Sequence, residues 1–122
     1  MTCVTIDCSD PERLAAFWNA ALGWGGVAGS GDDARCGPVG GGTYLEFVRV
    51  LDAKIVKNRV HLGCGVDALD DLPHEIDRLL ELGATIAWEE EFPAAVAAQY
   101  RNVVLRDPEG NEFCLGAGTP PG

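Results

Sequence analysis

Four side chains that can bind a metal ion, or take part in acid–base or nucleophilic chemistry, lie in predicted strands: Cys3, Glu46, His61 and Cys114. They lie in the opening and closing strands of two similar halves of the chain, so the symmetry of a duplicated fold would bring them together. The four would then form a sulfur, nitrogen and oxygen set of the kind that holds zinc. A second interpretation makes Cys3 or Cys114 a nucleophile and His61 its base. Glu46 and His61 are also candidates for a catalytic acid or base.

The elements that position these residues follow a β-α-β-β-β order, which the chain contains twice. In the first half, a strand is predicted over residues 3–8. A helix follows it, with Asp10 as its N-cap and Pro11 at its first position. Two short strands are expected within residues 24–42, and a clear strand follows over residues 43–50.

The second half repeats this order. A strand over residues 59–66 precedes a helix that starts at Asp70-Asp71, and another strand covers residues 84–88. After a loop over residues 89–99, a final hairpin turns at Asp107-Pro108-Glu109-Gly110, a composition typical of tight turns. The repeat predicts an α+β fold of two tandem βαβββ modules. Each module curls a four-stranded mixed sheet around a cavity, with one helix packed behind the sheet.

The boundaries of these parts follow from the same pattern. We expect one domain over residues 1–122, with module one at about 1–50, a linker at about 51–58 and module two at about 59–118. Strand parity then separates an apolar, helix-facing side from a polar side that would line a ligand pocket. The predicted pocket residues are Cys3 at the base with Thr5, Asp7, Tyr44, Glu46, His61, Glu112 and Cys114.

Composition excludes several classes of partner. A net charge of −10 argues against nucleic acid and against an anionic membrane surface, because both need a basic face. No segment has the ~20 apolar residues of a membrane span, and the start lacks a signal-peptide pattern, so we expect a cytoplasmic protein. Five cysteines without a C-x-x-C spacing fit reduced thiols better than a disulfide framework.

Several motifs together resemble the vicinal oxygen chelate superfamily, which includes glyoxalases, bleomycin-resistance proteins and dioxygenases. They are Asp10-Pro11-Glu12 with Phe17-Trp18, Lys57-Asn58-Arg59-Val60-His61-Leu62 and Asp107-Pro108-Glu109-Gly110-Asn111-Glu112-Phe113-Cys114-Leu115. The match covers nearly the whole chain and is most similar to the glyoxalase-like domain branch. The resemblance implies the paired-module fold, which serves both metalloenzymes and metal-free binding proteins.

The resemblance also implies where a divalent metal would bind. In the metalloenzymes the ligands are commonly His or Gln on the first strand and Glu on the last strand of each module. Carried over by position, these places are Cys3, Glu46, His61 and Cys114, and only Glu46 and His61 keep the usual residue type. We therefore expect no metal in the purified protein. The alternative is a divalent ion held by these four residues, with zinc favoured because thiolates are soft ligands.

These expectations define two classes of function. The first is a small-molecule-binding, glyoxalase-like protein without a demonstrated reaction, and the second is a metal-dependent lyase, isomerase or dioxygenase that acts on a small organic substrate. The identity of the ligand does not follow from the sequence. A homodimer is expected, because two small curled sheets leave edges and half-open cavities that a second copy can cover.

Overall fold

The computed structural model describes residues 2–121 and divides between Ile55 and Val56 into two compact units, here called unit one and unit two. Unit one contains strand β1 (Cys3–Cys8), helix α1 (Pro11–Leu22), and strands β2 (Val27–Ser30), β3 (Asp33–Cys36) and β4 (Tyr44–Arg49). Unit two contains β5 (Gly63–Val66), α2 (Leu72–Leu82), β6 (Thr85–Glu89), α3 (Ala94–Ala97), β7 (Tyr100–Arg106) and β8 (Glu112–Gly118). The division falls within the segment predicted as a linker.

Each unit forms one four-stranded mixed sheet, and the two sheets have the same topology. The strand order is β1-β4-β3-β2 in unit one and β5-β8-β7-β6 in unit two. In both sheets the first and last strands of the unit run parallel as neighbours, while the remaining pairs are antiparallel. The predicted α+β class with two βαβββ modules is therefore confirmed.

Helix α1 forms because its two ends carry strong local signals. The Asp10 side chain accepts a hydrogen bond from the backbone N–H of Arg13 at 3.2 Å, and Pro11 occupies the first turn. Gly23 ends the helix in the left-handed region, with φ of 65°. The buried face of α1 comprises Pro11, Leu14, Ala15, Phe17 and Trp18.

The core of unit one lies between α1 and one face of its sheet. Alternate residues of β3 and β4 are buried there, namely Ala34, Cys36, Leu45 and Phe47. Trp18 and Phe47 are almost fully buried, and each contributes on the order of 1.5–3 kcal/mol through loss of apolar surface to water. The opposite face of this sheet, which we call the open face of unit one, carries the polar residues considered below.

Unit two differs from the prediction in three places. Strand β5 begins at Gly63 rather than at residue 59, a 3₁₀ turn over Leu69–Asp71 precedes α2, and a short helix occupies part of the predicted loop 89–99. Just before residue 59, the backbone N–H of Asn58 donates to the Glu112 side chain. No helix described for residues 2–121 has the length and apolarity needed to cross a membrane.

Candidate functional site

The open face of unit one brings together residues that are far apart in sequence. In the parallel pair β1–β4, Cys3 lies opposite Tyr44 and Thr5 lies opposite Glu46. The antiparallel neighbour β3 places Arg35 opposite Glu46 on its other side. Because residues in register share a face of a sheet, Thr5, Glu46 and Arg35 form one row across three strands.

A chain of hydrogen bonds joins three of the predicted pocket residues. The hydroxyl of Thr5 donates to Oε1 of Glu46 at 3.1 Å, and Sγ of Cys3 lies 3.8 Å from Oγ1 of Thr5. A hydroxyl has a single hydrogen, so the Thr5 oxygen that donates to Glu46 can still accept from the Cys3 thiol. The chain therefore runs from thiol to hydroxyl to carboxylate, an arrangement able to pass a proton between Cys3 and Glu46.

Tyr44 adds a fourth polar group to this cluster. Its pKa is raised, first by a hydrogen bond to the Cys3 side chain and then by the charge of Cys3, while Arg35 acts in the opposite direction. The phenol therefore stays protonated at neutral pH and can donate a hydrogen bond. Tyr44 and Cys3 are both half-buried, so a ligand on this face can reach them.

A groove of about 270 Å³ lies beside the cluster, within unit one. It is lined by Gly26, Ala28, Arg35, Cys36, Gly37 and Tyr44. A Cβ atom at position 37 would lie 3.0 Å from Cβ of Tyr44, so glycine at this position allows the close approach of the tyrosine. Burial raises the pKa of the Cys36 thiol to about 11, which keeps it protonated and unreactive at neutral pH.

Sequence reasoning did not select Arg35. The residue lies in the glycine-rich segment where only short strands were expected. The signal that could have found it is the alternation in Asp33-Ala34-Arg35-Cys36, which places Arg35 on the face opposite the buried Ala34 and Cys36.

The candidate residues of unit two have different surroundings. Cys114 lies opposite Gly63 on the neighbouring strand. A Cβ at position 63 would be 3.5 Å from the Cys114 sulfur, so the thiol lies beside this glycine. His61 is exposed and lies two residues before β5. Asp7, on the open face of unit one, is also exposed, opposite Val48.

Glu112 is buried, and its contacts connect separate segments of unit two. Its side chain is 5% exposed, accepts a hydrogen bond from the Asn58 N–H at 2.8 Å, and pairs with Nε of Arg106 at 3.3 Å. The Asn58 side chain also donates to the backbone carbonyl of Glu112. Glu112 thus ties residue 58 to the start of β8, and its role in a ligand pocket stays a prediction.

The two predicted metal ligands of unit one share a neighbouring side chain. In unit one, Cys3 and Glu46 are both engaged by the hydroxyl of Thr5, which lies between them. Over residues 2–121, no three His, Cys, Asp or Glu side chains are arranged so that they could hold a metal ion. Within unit one, Cys3 and Glu46 therefore share Thr5 as a neighbour, and the metal-binding role of the four positions that the resemblance implies stays a prediction.

Comparison with known proteins gives a consistent assignment of the fold. The profile of a family described as "Glyoxalase-like domain" matches residues 3–116. A glyoxalase/bleomycin resistance protein/dioxygenase family enzyme from Burkholderia phytofirmans PsJN aligns with a TM-score of 0.74 at 18% identity, over 97% of this chain and 98% of that one. None of the curated protein sequences matches.

Two further structures are similar in the same way. A mutant of the fosfomycin resistance protein FosX from Listeria monocytogenes, complexed with Mn(II) and 1S,2S-dihydroxypropylphosphonic acid, aligns with a TM-score of 0.74 at 18% identity, over 98% of this chain and 90% of that one. A glyoxalase-related enzyme from Fulvimarina pelagi has a TM-score of 0.71 at 16% identity, over 97% and 87% of the two chains. These matches confirm the resemblance that the motifs predicted, and at such identities the solved structures show a shared fold.

Proposed function

The chain belongs to the glyoxalase-like domain family, and on this basis we propose that it binds a small organic molecule at the open face of unit one. The observation that carries the proposal is the cluster formed by Cys3, Thr5, Glu46 and Tyr44 beside a groove in which glycine and alanine make up half of the lining residues. A concave surface with a few convergent polar groups is typical of small-molecule sites.

Binding is favoured over catalysis by the types of the polar groups. Two places that the family resemblance assigns to nitrogen or oxygen ligands are cysteines, Cys3 and Cys114. Cys3 is in hydrogen-bonding contact with Thr5 and raises the pKa of Tyr44, which suits recognition of a ligand by donor and acceptor groups. The five thiols are free, which supports a reducing, cytoplasmic setting for this protein.

A nuclear magnetic resonance titration tests the proposal. The probes are single-ring fragments in anionic, neutral and cationic forms, added at millimolar concentration to the isotope-labelled full chain. At least one fragment is expected to shift the backbone amide signals of Thr5, Tyr44 and Glu46, and this shift is expected to weaken in Tyr44→Leu. Shifts confined to other residues, or none with any fragment, would overturn the proposal.

A second candidate is a metal-dependent lyase, isomerase or dioxygenase. It is favoured by the fold shared with FosX, whose structure contains Mn(II), and by the retention of Glu46 and His61. Metal analysis of protein purified under reducing conditions, without a metal-affinity tag, separates the two candidates. We expect no stoichiometric metal. Near-stoichiometric zinc, lost in both Cys3→Ser and Cys114→Ser, would favour the metal-dependent alternative.

A further inference from the structure

The groove in unit one contains a cationic side chain without a protein partner. Arg35 lines the groove, and within residues 2–121 it has no ion pair or side-chain hydrogen bond. Arg49, on the neighbouring strand β4, differs from it, because the Nε of Arg49 pairs with Asp32 at 3.0 Å.

The nearest carboxylate in register does not neutralise Arg35. Glu46 lies directly opposite Arg35 on β4, yet its Oε1 accepts the hydroxyl of Thr5 on the far side of the strand. Glu46 is also absent from the groove lining. The planar fork of N–H donors on Arg35 is therefore free for an external partner, and such a fork matches a carboxylate or a phosphonate in a bidentate pair.

The rest of the groove suits a flat ring rather than a branched chain. Tyr44 supplies an aromatic wall, while Gly26, Ala28 and Gly37 contribute little side-chain volume. A Cβ atom placed at Gly26 would meet nothing within 4 Å, so the groove is open at that side. At about 270 Å³ the space lies near the lower end of ligand sites, which is enough for a single-ring compound stacked against tyrosine.

From these observations we infer that the groove binds a small, planar, anionic molecule, with an aromatic carboxylate as the representative class. Arg35 pairs with the acid group, and Tyr44 stacks on the ring. This inference rests on the proposed function, because it names the ligand class of the same face. It adds the requirement that the ligand carries a negative charge.

The experiment compares benzoate with benzamide, its neutral isostere, in the same amide-shift titration. Benzoate is expected to bind the wild-type chain more tightly than benzamide does. Arg35→Gln is expected to weaken benzoate binding by about ten- to a hundredfold, because a charge-assisted hydrogen bond is lost. The matched control Arg49→Gln removes an arginine outside the groove and is expected to leave benzoate binding unchanged.

A second variant keeps the positive charge of Arg35 and reduces the space in the groove. Ala28 lies opposite Arg35 in register and lines the groove, so Ala28→Leu fills it and is expected to weaken benzoate binding while Arg35 is intact. Both positions are exposed, and thermal unfolding of each variant verifies that it folds.

The possible failures are distinguishable. Benzamide binding as tightly as benzoate, or benzoate binding unchanged in Arg35→Gln, would overturn the anionic class while leaving small-molecule binding in place. Absence of benzoate binding would also overturn this inference, whereas the proposed function falls only if no fragment of any charge shifts the amides of the open face.

Discussion

The hydroxyl of Thr5 donates to the carboxylate of Glu46 across the parallel pair of strands β1 and β4, although 41 positions separate the two residues. This contact connects the first and last strands of unit one on the face opposite the helix. It also directs the carboxylate toward β1 and away from Arg35 on β3. One hydrogen bond thus organises the polar cluster and leaves the arginine of the groove available.

The Thr5–Glu46 contact predicts a measurable coupling in stability. Thr5→Val and Glu46→Ala, made singly and together, are expected to show an interaction of about 0.5–1 kcal/mol in urea unfolding, since the hydrogen bond is exposed to water. A matched cycle of Thr5→Val with Arg49→Gln is expected to be additive. Zero coupling between Thr5 and Glu46 would show that the bond does not form in solution.

Asp107 is expected to be essential for the final hairpin. Its buried carboxylate accepts hydrogen bonds from the backbone N–H groups of Glu109 and Asn111 and from the Asn111 side chain. Asp107→Ala leaves these donors without their acceptor and should lower the free energy of unfolding by about 2–4 kcal/mol. Asp107→Asn keeps one acceptor oxygen and should cost less. Equal stability of the alanine variant and the wild type would contradict this prediction.

Glu112 should act as a tie between the linker and β8. Glu112→Ala removes the acceptor of the Asn58 N–H and the partner of Arg106, so we expect a loss of about 2–3 kcal/mol in urea unfolding. Faster hydrogen exchange at the Asn58 amide would report the released linker. Glu81→Ala, an exposed change on α2, is the control and should stay within about 0.5 kcal/mol. An unchanged Asn58 exchange rate would contradict the proposed tie.

Cys36 is buried and Cys64 is half-buried, and both thiols should be chemically silent in the folded protein. Burial is the main cause that raises the pKa of Cys36 and of Cys64 to about 11, so at pH 8 only ~0.1% of each is thiolate. Iodoacetamide at this pH is expected to modify Cys36 and Cys64 only after unfolding, as mass spectrometry of the labelled peptides would show. Modification of Cys36 in the folded chain as fast as in urea would refute this.

The same two thiols predict how stability depends on pH. Their pKa is higher in the folded than in the unfolded chain, so the stability they confer is complete below the unfolded value and is lost as pH rises toward about 11. The free energy of unfolding should therefore fall between about pH 9 and pH 11. Other groups also titrate there, so the readout is the difference between wild type and Cys36→Ala, which should show a shallower decline.

The homodimer remains a proposal with a direct test. Both sheets end in edge strands, β1 and β2 in unit one and β5 and β6 in unit two, and such edges pair readily with a second chain. Light scattering at tens of micromolar, where an interface of ordinary size should hold, is expected to give twice the chain mass of 12.9 kDa. A mass of one chain at that concentration would count against the dimer.

The sequence by itself determined the features that depend on near neighbours. The Asp10 cap, the Pro11 start and the Gly23 stop define α1, because each acts within one helical turn. The turn at Asp107 and the alternation of apolar residues along β4 are equally local. Together with the duplication, these signals were sufficient to predict the α+β class and the order of its elements.

Only the tertiary structure decided which polar groups meet. The hydrogen bond of Thr5 with Glu46, and the position of Arg35 opposite Glu46, depend on strand register, which long-range packing of the core sets and no local signal encodes. The hydrogen bond from the Asn58 amide to the Glu112 side chain is likewise a contact over 54 positions. Local patterns specify elements, whereas the chemistry of a site arises where distant elements are brought into register.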